Sequence, residues 1–219
     1  MQNTIQKTNG KLGVLIPGLG AVATTFIAGV EAVKKGISQP VGSLTQMGNI
    51  RLGKRTENRY PKIKEFVPLA GLEELVFGGW DVYSDNVFEA ASKAKVLEPM
   101  LLHAVKAELE SIKPMKAVFD KSYISNLDGD HVKEAATNAD LAKMVMDDIE
   151  NFRDANDCER VVIVWCGSTE KYIETSDVHQ SIESFEEGLR NNDPAISPSM
   201  IYAYAALKLG VPFANGAPN

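Results

Sequence analysis

Short apolar runs alternate with helical patterns along the chain. A run of about four to eight apolar residues between turn-forming residues is typical of a strand buried on both faces of a parallel sheet. Three segments have this pattern: Lys11–Ile16, Leu75–Val82 and Arg160–Trp165. Shorter or less regular runs predict further strands at Val41–Asn49, Lys116–Phe119 and Val211–Ala214.

Helical periodicity fills the intervals between these runs. Asn86 and Glu89 have the spacing of a capping box at the start of one helix, and Asn138 is the expected N-cap of another. The predicted helices follow the strands in chain order: Thr24–Lys35, one that starts at Asn86, Leu141–Phe152, Ile182–Leu189 and Pro198–Gly210.

The alternation of strand and helix predicts an α/β fold, a Rossmann-like and mostly parallel sheet with helices on both faces. Residues 1–219 form a single domain in this interpretation. The chain stops at Asn219 directly after a predicted strand, where such a fold normally continues into another helix. We therefore expect a domain that is truncated at its carboxyl end.

Composition narrows the class of protein. The chain has 219 residues with 23 basic and 29 acidic side chains, so its net charge of −6 gives no reason to expect nucleic acid as a partner. No apolar run approaches the roughly 18–20 residues of a membrane span, and Met1–Gly10 lacks the apolar core of a signal peptide. With only Cys158 and Cys166 as cysteines, we expect a reduced, cytoplasmic protein without a membrane partner.

A glycine-rich turn follows the first predicted strand. Gly18, Leu19, Gly20, Ala21, Val22 and Ala23 fit the dinucleotide fingerprint, with alanine in its third small position. The first glycine permits a tight turn, the second lets the backbone approach a pyrophosphate, and the third small residue lets helix and strand pack closely. The motif predicts a bound nucleotide, and a plain tight turn is the alternative.

The acidic partner of this fingerprint is missing from its usual place. An acidic residue about 20 positions after the glycines normally accepts hydrogen bonds from the ribose hydroxyls, but Ser38–Ile50 contains none. Asp81, at the end of a later strand, is the nearest substitute. A role in capping the turn that follows it is an equally good interpretation.

A second polar turn follows the strand with the strongest pattern. Cys166, Gly167, Ser168 and Thr169 come directly after it, at the end where open α/β sheets bind ligands. Cys166 is not expected to act as a nucleophile, because the sequence shows no partner histidine for it. The three histidines are widely separated, so no metal site is predicted.

Four segments together resemble the myo-inositol-1-phosphate synthase family, also called inositol-3-phosphate synthases. They are GLGAVAT at Gly18–Thr24, the stretch Gly79–Glu98, VIVWCGSTEKY at Val162–Tyr172, and GVPFANGAPN at Gly210–Asn219. The resemblance spans the whole chain and the amino-terminal half of the family. It implies an isomerase of inositol and phospholipid biosynthesis that uses NAD transiently: D-glucose 6-phosphate is oxidised, enolised, cyclised by an intramolecular aldol step and reduced again to 1D-myo-inositol 3-phosphate.

The resemblance also implies roles for particular residues. By similarity Asp81 would hold the adenosine ribose of NAD, and Cys166–Thr169 occupy a Thr-Ala-Asn-Thr run that contacts the cofactor. Gly216 and Ala217 match the Gly-Ser of an Asn-Gly-Ser-Pro segment near NAD. Ala21–Ala23 stand where the family usually has glycine and two asparagines, so backbone contacts remain there and side-chain contacts change.

The family's catalytic lysines and its tetramer-forming domain would lie beyond residue 219. The resemblance therefore assigns no catalytic residue to this chain, implies a homotetramer for the complete protein, and predicts that this chain alone is inactive. Two rival interpretations remain open: a conventional NAD-dependent dehydrogenase with net redox turnover, and a catalytically silent nucleotide-binding module.

Overall fold

The computed structural model describes residues 10–217. Residues 1–9, within the polar amino-terminal segment, lie outside this part. Residues 218–219, at the end of the segment Gly210–Asn219 that carries part of the family resemblance, also lie outside it. Five strands pair in parallel in the order β3-β2-β1-β4-β5. Their bounds are β1 Lys11–Pro17, β2 Leu75–Asp81, β3 Met115–Lys116, β4 Cys158–Trp165 and β5 Phe213–Asn215.

Helices connect and cover these strands. Their bounds are α1 Ala21–Lys34, α2 Leu44–Met47, α3 Ile63–Phe66, α4 Val87–Ala94, α5 Pro99–Ala104, α6 Lys106–Ser111, α7 Asn138–Ala155, α8 Ile182–Asn191 and α9 Pro198–Lys208. The predicted α/β fold with a Rossmann-like parallel sheet is confirmed.

Helices lie on both faces of the sheet because the central strand β1 is apolar on both sides. Val14 and Ile16 pack with residues of α1, α4, α5 and α6, whereas Leu15 packs with residues of α7 and α9 on the opposite face. Successive side chains of a strand point to opposite faces, so one apolar run supplies two cores. This arrangement holds the carboxyl end of β1 rigidly between its neighbours.

The strand predicted at Val41–Asn49 is wrong. This segment contains turns and the short helix α2, and it adds no strand to the sheet. Val41 and Leu44 are 79% and 72% exposed, so the apolar residues that suggested a strand pack against little. The second strand of the sheet is instead Leu75–Asp81, and residues 37–74 form a long connection before it.

Helix starts are predicted with mixed accuracy. The capping box at Asn86 is confirmed, since its side chain accepts from the Glu89 N–H at 3.0 Å and the Glu89 carboxylate accepts from the Asn86 N–H at 3.0 Å. The predicted N-cap Asn138 is wrong by one residue. Thr137 is the N-cap, and its hydroxyl accepts from the Asp140 N–H at 3.1 Å. Within residues 10–217, no helix is both long and apolar enough to cross a bilayer.

Candidate functional site

A cavity of about 490 Å³ opens at the carboxyl ends of β1, β2 and β4. The chain leaves β1 for β2 on one side and later returns to β4 on the other, so the cavity lies at the point where the strand order reverses. Open α/β sheets bind ligands at such a point, and this volume falls in the range of about 300–1,000 Å³ that is typical of ligand sites. It is the candidate functional site.

The glycine turn after β1 is held by backbone contacts to both neighbouring strands. The Gly18 N–H donates to the Trp80 carbonyl of β2 at 2.8 Å, and the Cys166 N–H after β4 donates to the Pro17 carbonyl at 3.0 Å. Gly18 has a φ of +88°, and a Cβ atom there would lie 2.5 Å from the Cα of Gly167. Only glycine combines that backbone conformation with so close an approach.

The amino terminus of α1 faces this cavity without a protein cap. Gly20 is the N-cap, no side chain within the described part of the chain accepts from the N–H groups of the first turn, and that turn carries no acidic residue. Apart from Gly20 itself and its chain neighbours, no atom of residues 10–217 would lie within 4 Å of a Cβ atom on Gly20. The free N–H groups and the helix dipole together make this end of α1 suited to an anion such as a phosphate.

Asp81 ends β2 and lies across from the glycine turn. One carboxylate oxygen accepts from the Leu19 N–H at 2.7 Å, and the other accepts from the Tyr83 N–H at 3.0 Å. Burial raises the pKa of the Asp81 carboxyl, although these backbone hydrogen bonds oppose the change. The residue therefore caps its own turn, as the alternative interpretation proposed, and also lines the cavity, where its remaining lone pairs can accept from a ligand hydroxyl.

The turn after β4 meets the glycine turn at the same edge of the sheet. Cys166, Gly167 and Ser168 line the cavity, whereas Thr169 is exposed and lies outside its lining. Burial raises the pKa of the Cys166 thiol, so the thiol stays protonated at neutral pH. A neutral, half-buried thiol fits a lining role rather than that of a nucleophile.

Other predicted site residues lie at varying distances from the cavity. Ala21 lines it through the start of α1. Val22 is 68% exposed outside the lining, and Ala23 is fully buried in the helix–sheet core, as the third small residue of the fingerprint requires. Gly216 donates its N–H to the Trp165 carbonyl at 3.0 Å, which places Gly216 and Ala217 beside the end of β4 but outside the lining.

Sequence reasoning missed the apolar side of the cavity. Tyr202 of α9 is buried there, with its ring 5.1 Å from that of Trp80 and 5.7 Å from that of Trp165. Its hydroxyl accepts from the Val118 N–H at 2.9 Å, which ties the segment after β3 to α9. These contacts join elements far apart in sequence. The sequence offered one signal for this side of the cavity, the rule that residues directly after parallel strands, such as Val118, line a ligand site.

A charged pair at the cavity was also missed. Asp85, in the connection from β2 to α4, and Lys93 of α4 both line the cavity. The lysine ammonium lies 2.6 Å from each carboxylate oxygen of Asp85. Among residues 10–217, no cluster of three or more histidine, cysteine or acidic side chains has the geometry to hold a metal ion.

Comparison with known proteins places the chain in a family. A family model described as myo-inositol-1-phosphate synthase matches residues 12–219. Inositol-3-phosphate synthase 1 of Bacteroides thetaiotaomicron is 48% identical over 222 residues, covering 100% of this chain and 51% of that protein. Isozyme 1 of Arabidopsis thaliana is 32% identical, covering 95% of this chain and 44% of that protein.

A solved structure agrees with this assignment. The inositol-3-phosphate synthase of Caenorhabditis elegans superposes with a TM-score of 0.89 at 26% identity, covering 97% of this chain and 45% of that one. The chain spans about half the length of the relatives it matches. It belongs to the myo-inositol-1-phosphate synthase family and carries that family's NAD-binding domain.

Proposed function

We propose that this chain supplies the NAD site of an inositol-3-phosphate synthase, which converts D-glucose 6-phosphate to 1D-myo-inositol 3-phosphate. The observation that carries the proposal is the uncapped amino terminus of α1 at Gly20, which opens onto a cavity at the point where the strand order reverses. The names of the relatives support the reaction, and the family model supports the cofactor.

The residues of the cavity suit the parts of NAD in a definite order. The N–H groups at the start of α1 would bind the pyrophosphate, because Gly20 leaves room for it. Asp81 would accept from the adenosine ribose hydroxyls, and the turn Cys166–Ser168 would line the opposite, nicotinamide side. When bound, NAD supplies reversible hydride transfer. The chain's own contribution is to hold and orient the cofactor and to exclude water from its apolar side.

The remaining chemistry needs groups that this cavity lacks. Stabilising negative charge on substrate oxygens requires positioned cations, whereas the one lysine lining the cavity, among residues 10–217, is Lys93, and it is paired with Asp85. We therefore assign no catalytic residue here and expect the 219-residue chain alone to make no inositol phosphate. By the same proposal the complete protein is a cytoplasmic homotetramer serving phospholipid biosynthesis, with no nucleic-acid or membrane partner.

A chimera tests the proposed activity. In the chimera, this chain replaces the matching part of the Bacteroides thetaiotaomicron synthase, to which it is 48% identical over 222 residues. The chimera and the chain alone are each incubated with glucose 6-phosphate and NAD, and both inositol phosphate and NADH are measured. We expect inositol phosphate without accumulated NADH from the chimera, and neither product from the chain alone.

Other outcomes identify the rival functions. Net NADH formation that depends on the sugar phosphate would indicate a conventional dehydrogenase. A chimera that binds NAD but forms no product would favour a silent nucleotide-binding module. Inositol phosphate formed by the chain alone would show that the chemistry resides in this half.

A further inference from the structure

The ribose side of the cavity carries more charge than NAD binding requires. Among residues 10–217, the charged residues that line the cavity are Asp81, Asp85 and Lys93. Asp81 is the last residue of β2, Asp85 follows in the connection to α4, and Lys93 lies on α4. In the proposed function Asp81 contacts the ribose. The ion pair of Asp85 and Lys93 has no role there.

Asp85 and Lys93 neutralise each other in a fixed geometry. Both oxygens of Asp85 lie 2.6 Å from the Lys93 ammonium, and the Asp85 side chain is the less exposed partner, at 26% against 69%. Burial raises the pKa of the neighbouring Asp81 carboxyl, and the negative charge of Asp85 raises it further. The two carboxylates therefore act on the same part of the cavity.

NADP differs from NAD by a phosphate on the adenosine ribose, a group of nearly two negative charges. In dinucleotide folds an acidic residue at the end of the second strand suits the free hydroxyl, and a nearby basic residue accommodates the phosphate. This chain has both an acid and a base in that region. We infer that Asp85 is a specificity-determining residue, which excludes NADP by neutralising Lys93, the one basic side chain at this part of the cavity among residues 10–217.

This inference rests on the proposed NAD site, and its test distinguishes failure of the Asp85 inference from failure of the NAD site. NAD and NADP are titrated calorimetrically into the wild-type chain and into Asp85→Asn, which frees the Lys93 ammonium. We expect NADP affinity to rise about two- to fivefold while NAD affinity does not change measurably, the size of effect that one exposed charge pair produces. The gain should shrink at high ionic strength, because salt screens exposed charges.

Two further variants complete the experiment. In the double variant Asp85→Asn/Lys93→Met the gain in NADP affinity should disappear, because the freed cation is absent. Glu186→Gln makes the same change in net charge at an ion pair with Lys208, away from the cavity, and should leave both affinities unchanged. Melting curves check folding, and Asp85→Ser repeats the test if Asp85→Asn is unstable.

The outcomes distinguish the two proposals. An unchanged ratio of NADP to NAD affinity in a folded Asp85→Asn or Asp85→Ser protein overturns the role of Asp85 and leaves the NAD site intact. A gain that persists without Lys93 overturns the part assigned to that lysine. A folded wild-type chain that binds neither nucleotide overturns the proposed site itself.

Discussion

The carboxyl edge of the sheet and the 37–74 connection are held together in opposite ways. At the edge, backbone groups from distant segments bond directly, as Gly18 does to Trp80 and Cys166 does to Pro17. In the connection the bonds are local, such as those from Leu52 to Arg59 and from Ile63 to Gly48, and apolar side chains are exposed. A substitution at the edge is therefore expected to disturb the packing of three strands, whereas one in the connection is expected to disturb only its own turn.

This difference explains where the dinucleotide fingerprint departs from its usual spacing. Asp81 comes 61 residues after Gly20, instead of the usual ~20. The connection contributes the extra length and leaves the edge unchanged, since β2 still pairs directly with β1. The position of the acid is set by the pairing of the strands, so a long insertion between α1 and β2 does not move it in space.

The largest expected effect comes from a Cβ atom at the edge. Gly18→Ala would combine a φ of +88° with a carbon 2.5 Å from the Gly167 backbone. We expect a loss of about 3 kcal/mol in the free energy of unfolding, measured by urea titration, and no measurable NAD binding. Gly42→Ala in the connection is the matched control, because a Cβ atom there would have no atom of the described residues beyond its chain neighbours within 4 Å. A Gly18→Ala protein as stable as this control would contradict the account.

Asp81→Ala removes both a cavity-lining carboxylate and the acceptor of two backbone N–H groups. We expect NAD affinity to fall by about 1.5–3 kcal/mol, as for hydrogen bonds to a charged group, together with relaxed discrimination against NADP. Stability should fall as well. Asp193→Ala is the control, since Asp193 accepts from the Ala195 N–H at 2.8 Å in a similar turn away from the cavity. If Asp81→Ala loses stability but keeps its cofactor affinity and preference, Asp81 is only a turn cap.

The raised pKa of Asp81 predicts how NAD binding depends on pH. The ionised carboxylate accepts from the ribose hydroxyls, so affinity should fall as pH decreases through the pKa of this group. Because burial raises that pKa, the loss should begin at a higher pH than for an ordinary aspartate. Asp81→Asn should bind more weakly and lose this pH dependence, whereas Asp193→Asn should keep it. A wild-type affinity that is flat down to the ordinary aspartate range would contradict the role.

The smallest effect is expected in the connection. Val41 is 79% exposed, so Val41→Ser should change the free energy of unfolding by no more than about 0.5 kcal/mol, with unchanged NAD affinity. A buried strand residue would lose about 1.5–3 kcal/mol instead. Urea titration distinguishes the two, and a large loss would show that this segment packs against the protein.

Local sequence patterns predicted the part of the site whose structure depends on neighbouring residues, which is the glycine turn. The succession of strand, glycine turn and helix from Lys11 onwards identified the turn, because each step depends on neighbouring residues. The Val41–Asn49 strand was wrong because composition alone does not supply a pairing partner. The position of Asp81 beside the glycine turn follows from the pairing of β2 with β1, and its contact with the ribose stays a prediction. Tyr202 escaped prediction because long-range packing brings it to the cavity. Asp85 and Lys93 lie close together after β2, but their sequence pattern does not show that both line the cavity.

The most direct test of the account is NAD titration into Gly20→Val. Gly20 has φ and ψ values of −80° and −157°, which valine tolerates, and its Cβ position is open. The cost to folding should not exceed about 1 kcal/mol, the difference between glycine and valine at an N-cap, whereas the side chain would occupy the proposed pyrophosphate position. We expect a folded protein by circular dichroism, with NAD binding too weak for calorimetry to detect, and normal binding by Gly42→Val. Wild-type NAD affinity in a folded Gly20→Val protein would contradict the proposed site.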